Sequence, residues 1–152
     1  MNIVDLLDPV SVEAELKSVS KDDVLLEMTE VLLRSEKGLN KDEVLEVLRE
    51  REHLGSTGIG EGVAIPHGKL KEIDGLVLSF GRSPQGIDFD SMDGKPAHLF
   101  FLLLAPEDSI SVHLKALARI SKLLRDEEVR KQLLSAATND EIYQIIRNRE
   151  DA

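Results

Sequence analysis

Hydrophobic residues recur at helical spacing in a segment near the N-terminus. Ser20 followed by Asp23 is typical of a helix start, and Lys37 with Gly38 closes the segment. Between them the apolar positions lie three or four residues apart, at Val24, Leu25, Met28, Val31 and Leu32. The pattern predicts one amphipathic helix.

The same pattern repeats directly afterwards. Asn40 with Glu43 indicates a second helix start, and this helix runs to about His53, where Gly55 stops it. Its apolar stripe is formed by Val44, Val47 and Leu48. We therefore expect two consecutive helices.

Three apolar segments then predict strands: residues 63–65 (VAI), 76–82 (LVLSFGR) and 97–105 (AHLFFLLLA). The last one lacks polar alternation, so we expect a central strand covered on both faces. Residues 55–62 (GSTGIGEG) are typical of a loop, and residues 83–96 predict a turn or short hairpin.

Helical spacing returns after Pro106, over residues 112–124, 126–137 and 139–148. Helices, then strands, then helices, with no repeat or long linker, predict an α/β fold: a three-layer sandwich with a mixed β-sheet flanked by helices on both faces. A length of 152 residues with 41% hydrophobic residues suits a single domain over residues 1–152.

The composition excludes several classes of function. A net charge of −10 without a basic cluster disfavours nucleic acid and anionic membranes as partners. The absence of cysteine removes disulfides, thiolate zinc sites and thiol nucleophiles. The acidic N-terminus is unlike a secretory signal, and the longest apolar run, residues 99–105, is too short to cross a bilayer. We expect a cytoplasmic protein.

Residues 62–69 (GVAIPHGK) end a predicted strand on His67, where Pro66 fixes the approach and Gly68 leaves the imidazole open. The glycine spacing and Leu70 rule out a phosphate loop, and the dinucleotide fingerprint fails as well. A neutral imidazole here is a candidate nucleophile, and phosphoryl transfer suits it. An ordinary histidine at a strand end is the alternative.

Two further side chains are candidates for the same site. His113 begins the helix that follows the apolar strand, which would bring it to the sheet end that carries His67. Arg51 lies in the last turn of the second helix, and its guanidinium suits phosphoryl oxygens. The alternatives are a packing histidine and a solvated helix charge.

The remaining histidines, His53 and His98, are interpreted as structural. None of the four histidines has the helical spacing of a metal site, so we expect neither a metal nor a cofactor. Gly58, Gly60 and Gly62 allow sharp turns or the approach of backbone N–H groups to a phosphoryl oxygen. Lys69 is either a docking residue or a surface cation.

Residues 51–69 (REHLGSTGIGEGVAIPHGK) resemble the active-site signature of enzyme IIA domains of the fructose/mannitol type, from the bacterial phosphoenolpyruvate-dependent phosphotransferase system. The strings GSTGIG and GKL are most similar to the nitrogen-regulatory branch. The similarity continues through residues 102–124 and 139–146, and therefore covers nearly the whole chain.

The resemblance implies that His67 takes a phosphoryl group from the phosphohistidine of a small HPr-like carrier. It also implies that His113 hydrogen-bonds near the phosphoryl group and that Arg51 stabilises its charge. Glu61 stands where relatives of this branch often have asparagine, which makes the rim more acidic here. The implied phosphoryl-binding loop comprises Ser56, Thr57, Gly58, Gly60 and Gly68.

The function implied is that of a phosphocarrier with regulatory output in nitrogen or potassium regulation. Its targets would be proteins such as potassium transport systems and sensor kinases, and no nucleic acid or membrane insertion is expected. Two alternatives stay open. The chain could be the soluble IIA component of a fructose or mannitol transport chain that passes phosphate to enzyme IIB, or a binding module that works without phosphorylation.

Overall fold

A mixed sheet lies at the centre of the computed structural model, which describes residues 2–150. The strands are β1 (Leu7–Glu13), β2 (Gly58–Gly60), β3 (Val63–Ala64), β4 (His67–Leu70), β5 (Val77–Ile87) and β6 (Ala97–Pro106). The helices are α1 (Ile3–Leu6), α2 (Lys21–Leu33), α3 (Lys41–His53), α4 (Ile110–Arg125), α5 (Glu127–Ser135) and α6 (Asn139–Glu150).

The strand order is β1-β5-β6-β3-β2, and β4 pairs with β6 beside β3. Strand β6 is antiparallel to β5 and parallel to β3 and β4. Its side chains alternate between two buried clusters, with Phe101 among residues of α4, α5 and α6 and Phe100 among residues of α2 and α3. The three-layer sandwich and the doubly covered strand are therefore confirmed.

The two N-terminal helices begin where their caps predicted. The Ser20 side chain accepts from the Asp23 N–H, and the Asn40 side chain accepts from the Glu43 N–H. Helix α2 ends at Leu33, earlier than predicted, and helix α4 begins two residues before the predicted start at residue 112. Within residues 2–150, no helix has the length and apolar character needed to cross a membrane.

The prediction of a turn or hairpin over residues 83–96 is wrong in its first part, because β5 continues to Ile87. A register shift between Arg82 and Ile87 accommodates Gly86, whose N–H donates to the Ser83 hydroxyl. The prediction of a loop over residues 55–62 is wrong at residues 58–60, which form the short strand β2. Helix α1 and strand β1 were not predicted at all. Strand β1 is an edge strand, where Pro9 is tolerated because one side of the ladder needs no donor.

His67 begins a strand instead of ending one. Strand β3 stops at Ala64, β4 starts at His67, and both pair with β6 in one continuous register. The gap covers Ile65 and Pro66 because proline has no N–H to give to the ladder, although its carbonyl still accepts from the Leu103 N–H. The sequence VAIPHGKL is thus one interrupted strand.

Gly68 allows helix α3 to approach this strand closely. A Cβ atom at this position would lie 2.3 Å from Cγ1 of Val47, on α3. Alternation along β4 then directs the neighbouring His67 towards the opposite face, where α4 packs. The missing side chain therefore brings two helices, one from each face, to the start of β4.

We expect Gly68→Ala to lower the free energy of unfolding by about 1–3 kcal/mol, because the added methyl group overlaps Val47. Urea denaturation measures the loss. Gly75→Ala is the matched control, since a Cβ atom there has no neighbour within 4 Å among the described residues. In a double-mutant cycle, Val47→Ala should offset part of the cost, and strict additivity would contradict the packing argument.

Candidate functional site

The imidazole of His67 is half-buried and held in one orientation. Its Nδ1 atom lies 2.7 Å from the backbone carbonyl oxygen of Ile65. A carbonyl only accepts hydrogen bonds, so Nδ1 carries the proton and donates it. In the neutral ring the unshared electron pair then belongs to Nε2, which is the nucleophilic position.

The surroundings of His67 keep it neutral. Burial is the main cause that lowers its pKa, and the hydrogen bond to Ile65 opposes burial. The positive charge of Arg51 lowers the pKa further, whereas the carboxylate of Glu52 raises it. The net shift is downward from 6.5, so an uncharged imidazole is present at neutral pH.

His113 lies directly against His67. The two ring centroids are 5.4 Å apart and the ring planes are inclined by 78°. His113 is only 6% exposed, and its pKa is lowered by burial and then by the charges of His67 and Lys69. Its Nε2 atom is buried and has no hydrogen-bond partner within residues 2–150, which is unusual for a buried polar group.

Arg51 reaches the site from the end of helix α3. Its Nη1 atom donates to the carbonyl oxygen of Gly55 at 2.9 Å, which fixes the guanidinium beside the loop that follows the helix. Because its charge lowers the pKa of His67, the side chain acts on the same centre. The structure therefore brings together all three side chains proposed from the sequence.

The polar groups of the predicted phosphoryl-binding loop already have protein partners. The Ser56 hydroxyl donates to the carbonyl oxygen of Phe89 at 2.6 Å and accepts from the Gly58 N–H at 3.0 Å. The Thr57 N–H donates to Glu52 at 3.1 Å. These contacts give the residues a part in shaping the loop, and their role in phosphoryl binding stays a prediction.

Two other glycines of the predicted phosphoryl-binding loop, Gly60 and Gly68, are required by the local backbone conformation or packing. Gly60 has a φ of 93°, which favours glycine, and it lies beside Asp93. Gly68 faces helix α3, on the side of the strand away from His113. Phosphoryl binding by these glycines stays a prediction, as does docking by the exposed Lys69.

Glu52 is the site residue that sequence analysis missed. It stands in the charged run RERE, yet its side chain is only 6% exposed. The signal was its spacing, because it follows Leu48 by four residues and Leu45 by seven and so continues the buried face of helix α3. A carboxylate on an apolar stripe needs partners, and Glu52 has them in Thr57 and Lys21.

The remaining two histidines differ in their surroundings. The Nδ1 atom of His98 is 2.9 Å from the carbonyl oxygen of Ser83, and His53 is exposed at the end of α3. Glu61 has a φ of 57° and lies 3.7 Å from Arg130 across a surface ion pair. Among the described residues, no group of three or more His, Asp or Glu side chains is arranged to hold a metal ion.

Comparison with known proteins identifies the relatives of this chain. The family model described as "Phosphoenolpyruvate-dependent sugar phosphotransferase system, EIIA 2" matches residues 5–149. A nitrogen regulatory protein of Bradyrhizobium diazoefficiens is 45% identical over 146 residues, which cover 96% of this chain and 95% of the relative.

Two further relatives point to different branches of the same system. The fructose-specific EIIABC component of Bacillus subtilis is 43% identical over 96% of this chain, which spans only 23% of that longer protein. The crystal structure of the nitrogen regulatory protein IIA-Ntr from Neisseria meningitidis superimposes with a TM-score of 0.88 at 33% identity, covering 95% of this chain and 98% of that one.

We expect acid to destabilise the protein through His67 and His113. Both pKa values are lower in the folded chain than the 6.5 of a free imidazole, so the unfolded chain binds more protons between these values. The stability contributed by the two neutral histidines is present above pH 6.5. It is lost as the pH falls through the lowered pKa values of the folded chain.

Urea denaturation at about pH 7.5 and about pH 5.5 measures the effect. The wild type should lose more stability than the double variant His67→Gln/His113→Gln, in which the carboxylate background is unchanged. Equal losses in the two proteins would contradict the shifted pKa values.

Proposed function

Because the chain belongs to the type 2 EIIA family of the phosphoenolpyruvate-dependent sugar phosphotransferase system, we propose that it carries its phosphoryl group on His67. Membership of this family supports phosphotransfer in general. The single observation that supports His67 as the acceptor is its Nδ1–H hydrogen bond to Ile65, which leaves Nε2 as the nucleophile.

In the proposed reaction the Nε2 electron pair of His67 attacks the phosphorus atom of a phosphohistidine on a small HPr-like carrier. A P–N bond forms at Nε2, the P–N bond on the carrier breaks, and its electron pair returns to the carrier imidazole. The Nδ1 proton stays on His67, where the carbonyl of Ile65 stabilises the positive charge that develops on the ring. The reaction needs in-line positioning more than acid–base chemistry.

Arg51 and His113 supply charge stabilisation in this proposal. The guanidinium of Arg51 lies close enough to lower the pKa of His67, and the same charge would stabilise phosphoryl oxygens. His113 is buried against the His67 ring, and its unpartnered Nε2 donates to a phosphoryl oxygen when it carries the proton.

The surface around these residues suits a protein donor. Leu54 follows Arg51 by three residues, and Ile110 and Leu114 lie in the first turns of the helix that carries His113. All three are large apolar side chains that are exposed to solvent. We propose that they contact the HPr-like carrier, because exposed apolar side chains beside a reactive group are typical of a docking surface.

A regulatory output is the better supported role. The Bradyrhizobium relative, which this chain matches over nearly its full length, is named a nitrogen regulatory protein, as is the Neisseria structure. We propose that phosphorylation of His67 changes which target proteins bind at the site. Potassium transport systems and sensor kinases are the target classes to test, in the cytoplasm.

Sugar transport is the second candidate. The 43% identity to a fructose-specific EIIABC component favours it, although this chain covers less than a quarter of that protein. In this role His67 would pass its phosphoryl group to an enzyme IIB. Rapid loss of phosphate after addition of enzyme IIB, membrane component and fructose or mannitol would favour transport, and a stable phosphoprotein would favour regulation.

The phosphorylation-independent binding module is tested separately. Once a target has been found, its affinity is measured for the unphosphorylated protein, the phosphorylated protein and the His67→Ala variant. Equal affinities in all three would favour the binding module. A difference between the phosphorylated and unphosphorylated forms would favour the phosphocarrier.

We expect intact-mass spectrometry to detect an acid-labile phosphoryl adduct after incubation with phosphoenolpyruvate, enzyme I and HPr. His67→Gln should form no adduct, and His53→Gln should behave as the wild type because His53 is exposed outside the site. Arg51→Gln and His113→Gln should slow phosphorylation roughly ten- to hundredfold, since each removes a donor to developing charge. An adduct in His67→Gln would refute the assignment.

A further inference from the structure

Glu52 is a buried carboxylate next to the site that the proposed reaction does not use. It lies in the last turn of α3, and its side chain is 6% exposed. A buried charge is costly unless it is paired and hydrogen-bonded. Glu52 accepts from both the N–H and the hydroxyl of Thr57, and it lies 3.1 Å from Nζ of Lys21.

A continuous series of contacts joins Glu52 to the imidazole of His67. Thr57 is bound to Glu52 through two donors, and its own carbonyl oxygen accepts from the Ile65 N–H at 3.0 Å. The carbonyl of Ile65 in turn accepts from Nδ1 of His67 at 2.7 Å. Glu52 thus binds both the backbone and the side chain of Thr57, the other links involve the backbone of Ile65, and both Thr57 and Ile65 are buried.

Ile65 is available for this contact because the strand is interrupted at this point. Its N–H donates to Thr57, outside the ladder with β6, and the next residue, Pro66, has no N–H. The N–H that binds Thr57 and the carbonyl that binds His67 belong to the two peptide groups on either side of the Ile65 Cα atom, so Thr57 positions the backbone from which this carbonyl extends. Without the hydrogen bond to Thr57, the backbone that carries the tautomer-selecting carbonyl of Ile65 is less well fixed.

We propose that Glu52 is a positioning residue: through Thr57 and Ile65 it holds His67 in the Nδ1–H tautomer with Nε2 free to react. The inference rests on the proposed role of His67 as phosphoryl acceptor. Glu52 itself does not contact the phosphoryl group in this proposal. It acts by fixing the loop before the strand, and the ion pair with Lys21 holds its carboxylate in place.

The carboxylate of Glu52 also acts on His67 through its charge. Among the charged groups that act on His67, Arg51 lowers its pKa and Glu52 raises it, while burial is the largest cause and lowers it. His113 faces the ring from α4, where its own pKa is lowered by burial and by the charges of His67 and Lys69. The direct effect of the Glu52 charge on the pKa of His67 is thus opposite to the effect of burial.

The test combines two readouts on folded, full-length variants. The first is the tautomer of His67 in the unphosphorylated protein, read from its ring ¹⁵N chemical shifts and two-bond couplings. The second is the transfer of phosphate from HPr, charged by phosphoenolpyruvate and enzyme I, resolved into kcat and KM. Glu52→Gln is the test variant, and Glu50→Gln, exposed on the same helix, is the matched control.

In Glu52→Gln we expect the ring signals of His67 to change from the Nδ1–H tautomer to a mixture of tautomers. We expect kcat to fall roughly ten- to hundredfold with KM for HPr nearly unchanged, because positioning is lost and docking is not. Glu50→Gln should alter neither readout. A Glu52→Gln protein with the wild-type tautomer pattern would overturn the proposal, whatever its kcat.

Thr57 offers a second pair of variants if Glu52→Gln fails to fold. Thr57→Val removes the hydroxyl that donates to Glu52, and Thr57→Ser retains it. We expect the tautomer mixture in Thr57→Val and its rescue in Thr57→Ser, whereas identical spectra in both would overturn the proposal. Since the NMR readout needs no phosphate, a wild type that cannot be phosphorylated would refute the proposed function alone.

Discussion

The pairing of two short strands with one apolar strand determines the geometry of the site. Strands β3 and β4 lie along the same edge of β6 in one register. The chain therefore leaves the hydrogen-bond ladder after β3 and returns to it at β4. It leaves the ladder at Ile65 and Pro66, where proline cannot donate. This short interruption leaves both backbone groups of Ile65 outside the ladder with β6, so its N–H binds Thr57 and its carbonyl oxygen binds His67.

The sandwich then surrounds His67 with groups from both faces. Gly68 admits helix α3 on one face, and α4 brings His113 to the other. The resulting burial removes water from the imidazole, and desolvation penalises the charged form of the ring. A nucleophile that must be neutral is therefore kept neutral mainly by packing, with the local charges making smaller adjustments of opposite sign.

Sequence patterns predicted the elements that have strong local signals. The capped helices α2 and α3 and the apolar strand β6 were found because capping residues and long apolar runs act independently of the rest of the chain. Strand β1 was missed because an edge strand with Pro9 and exposed residues carries little periodicity. The continuation of β4 was missed because PHG resembles a strand exit unless the pairing with β6 is known.

The site residues likewise divide into those with a local sequence signal and those whose contacts depend on tertiary structure. His67 stood out through its unusual neighbours, whereas the contact of His113 and the loop contacts of Ser56 depend on tertiary structure. Glu52 is the informative case. Its position on the apolar face of α3 was visible in the sequence, but the charged run around it concealed the signal, and only the structure shows which donors it binds.

In the proposed function, phosphorylation changes the electrostatic potential of the surface around His67. Phosphorylation adds about −1.5 to −2 charges to a chain whose formal charge is already −10, at a site where the charges of Arg51 and Lys69 act on the histidine pair. The modification is confined to His67, and the exposed side chains of Leu54, Ile110 and Leu114 keep their apolar character. A partner that docks on these apolar residues would therefore meet the same shape with a different potential, which alters its affinity without requiring any movement of the fold.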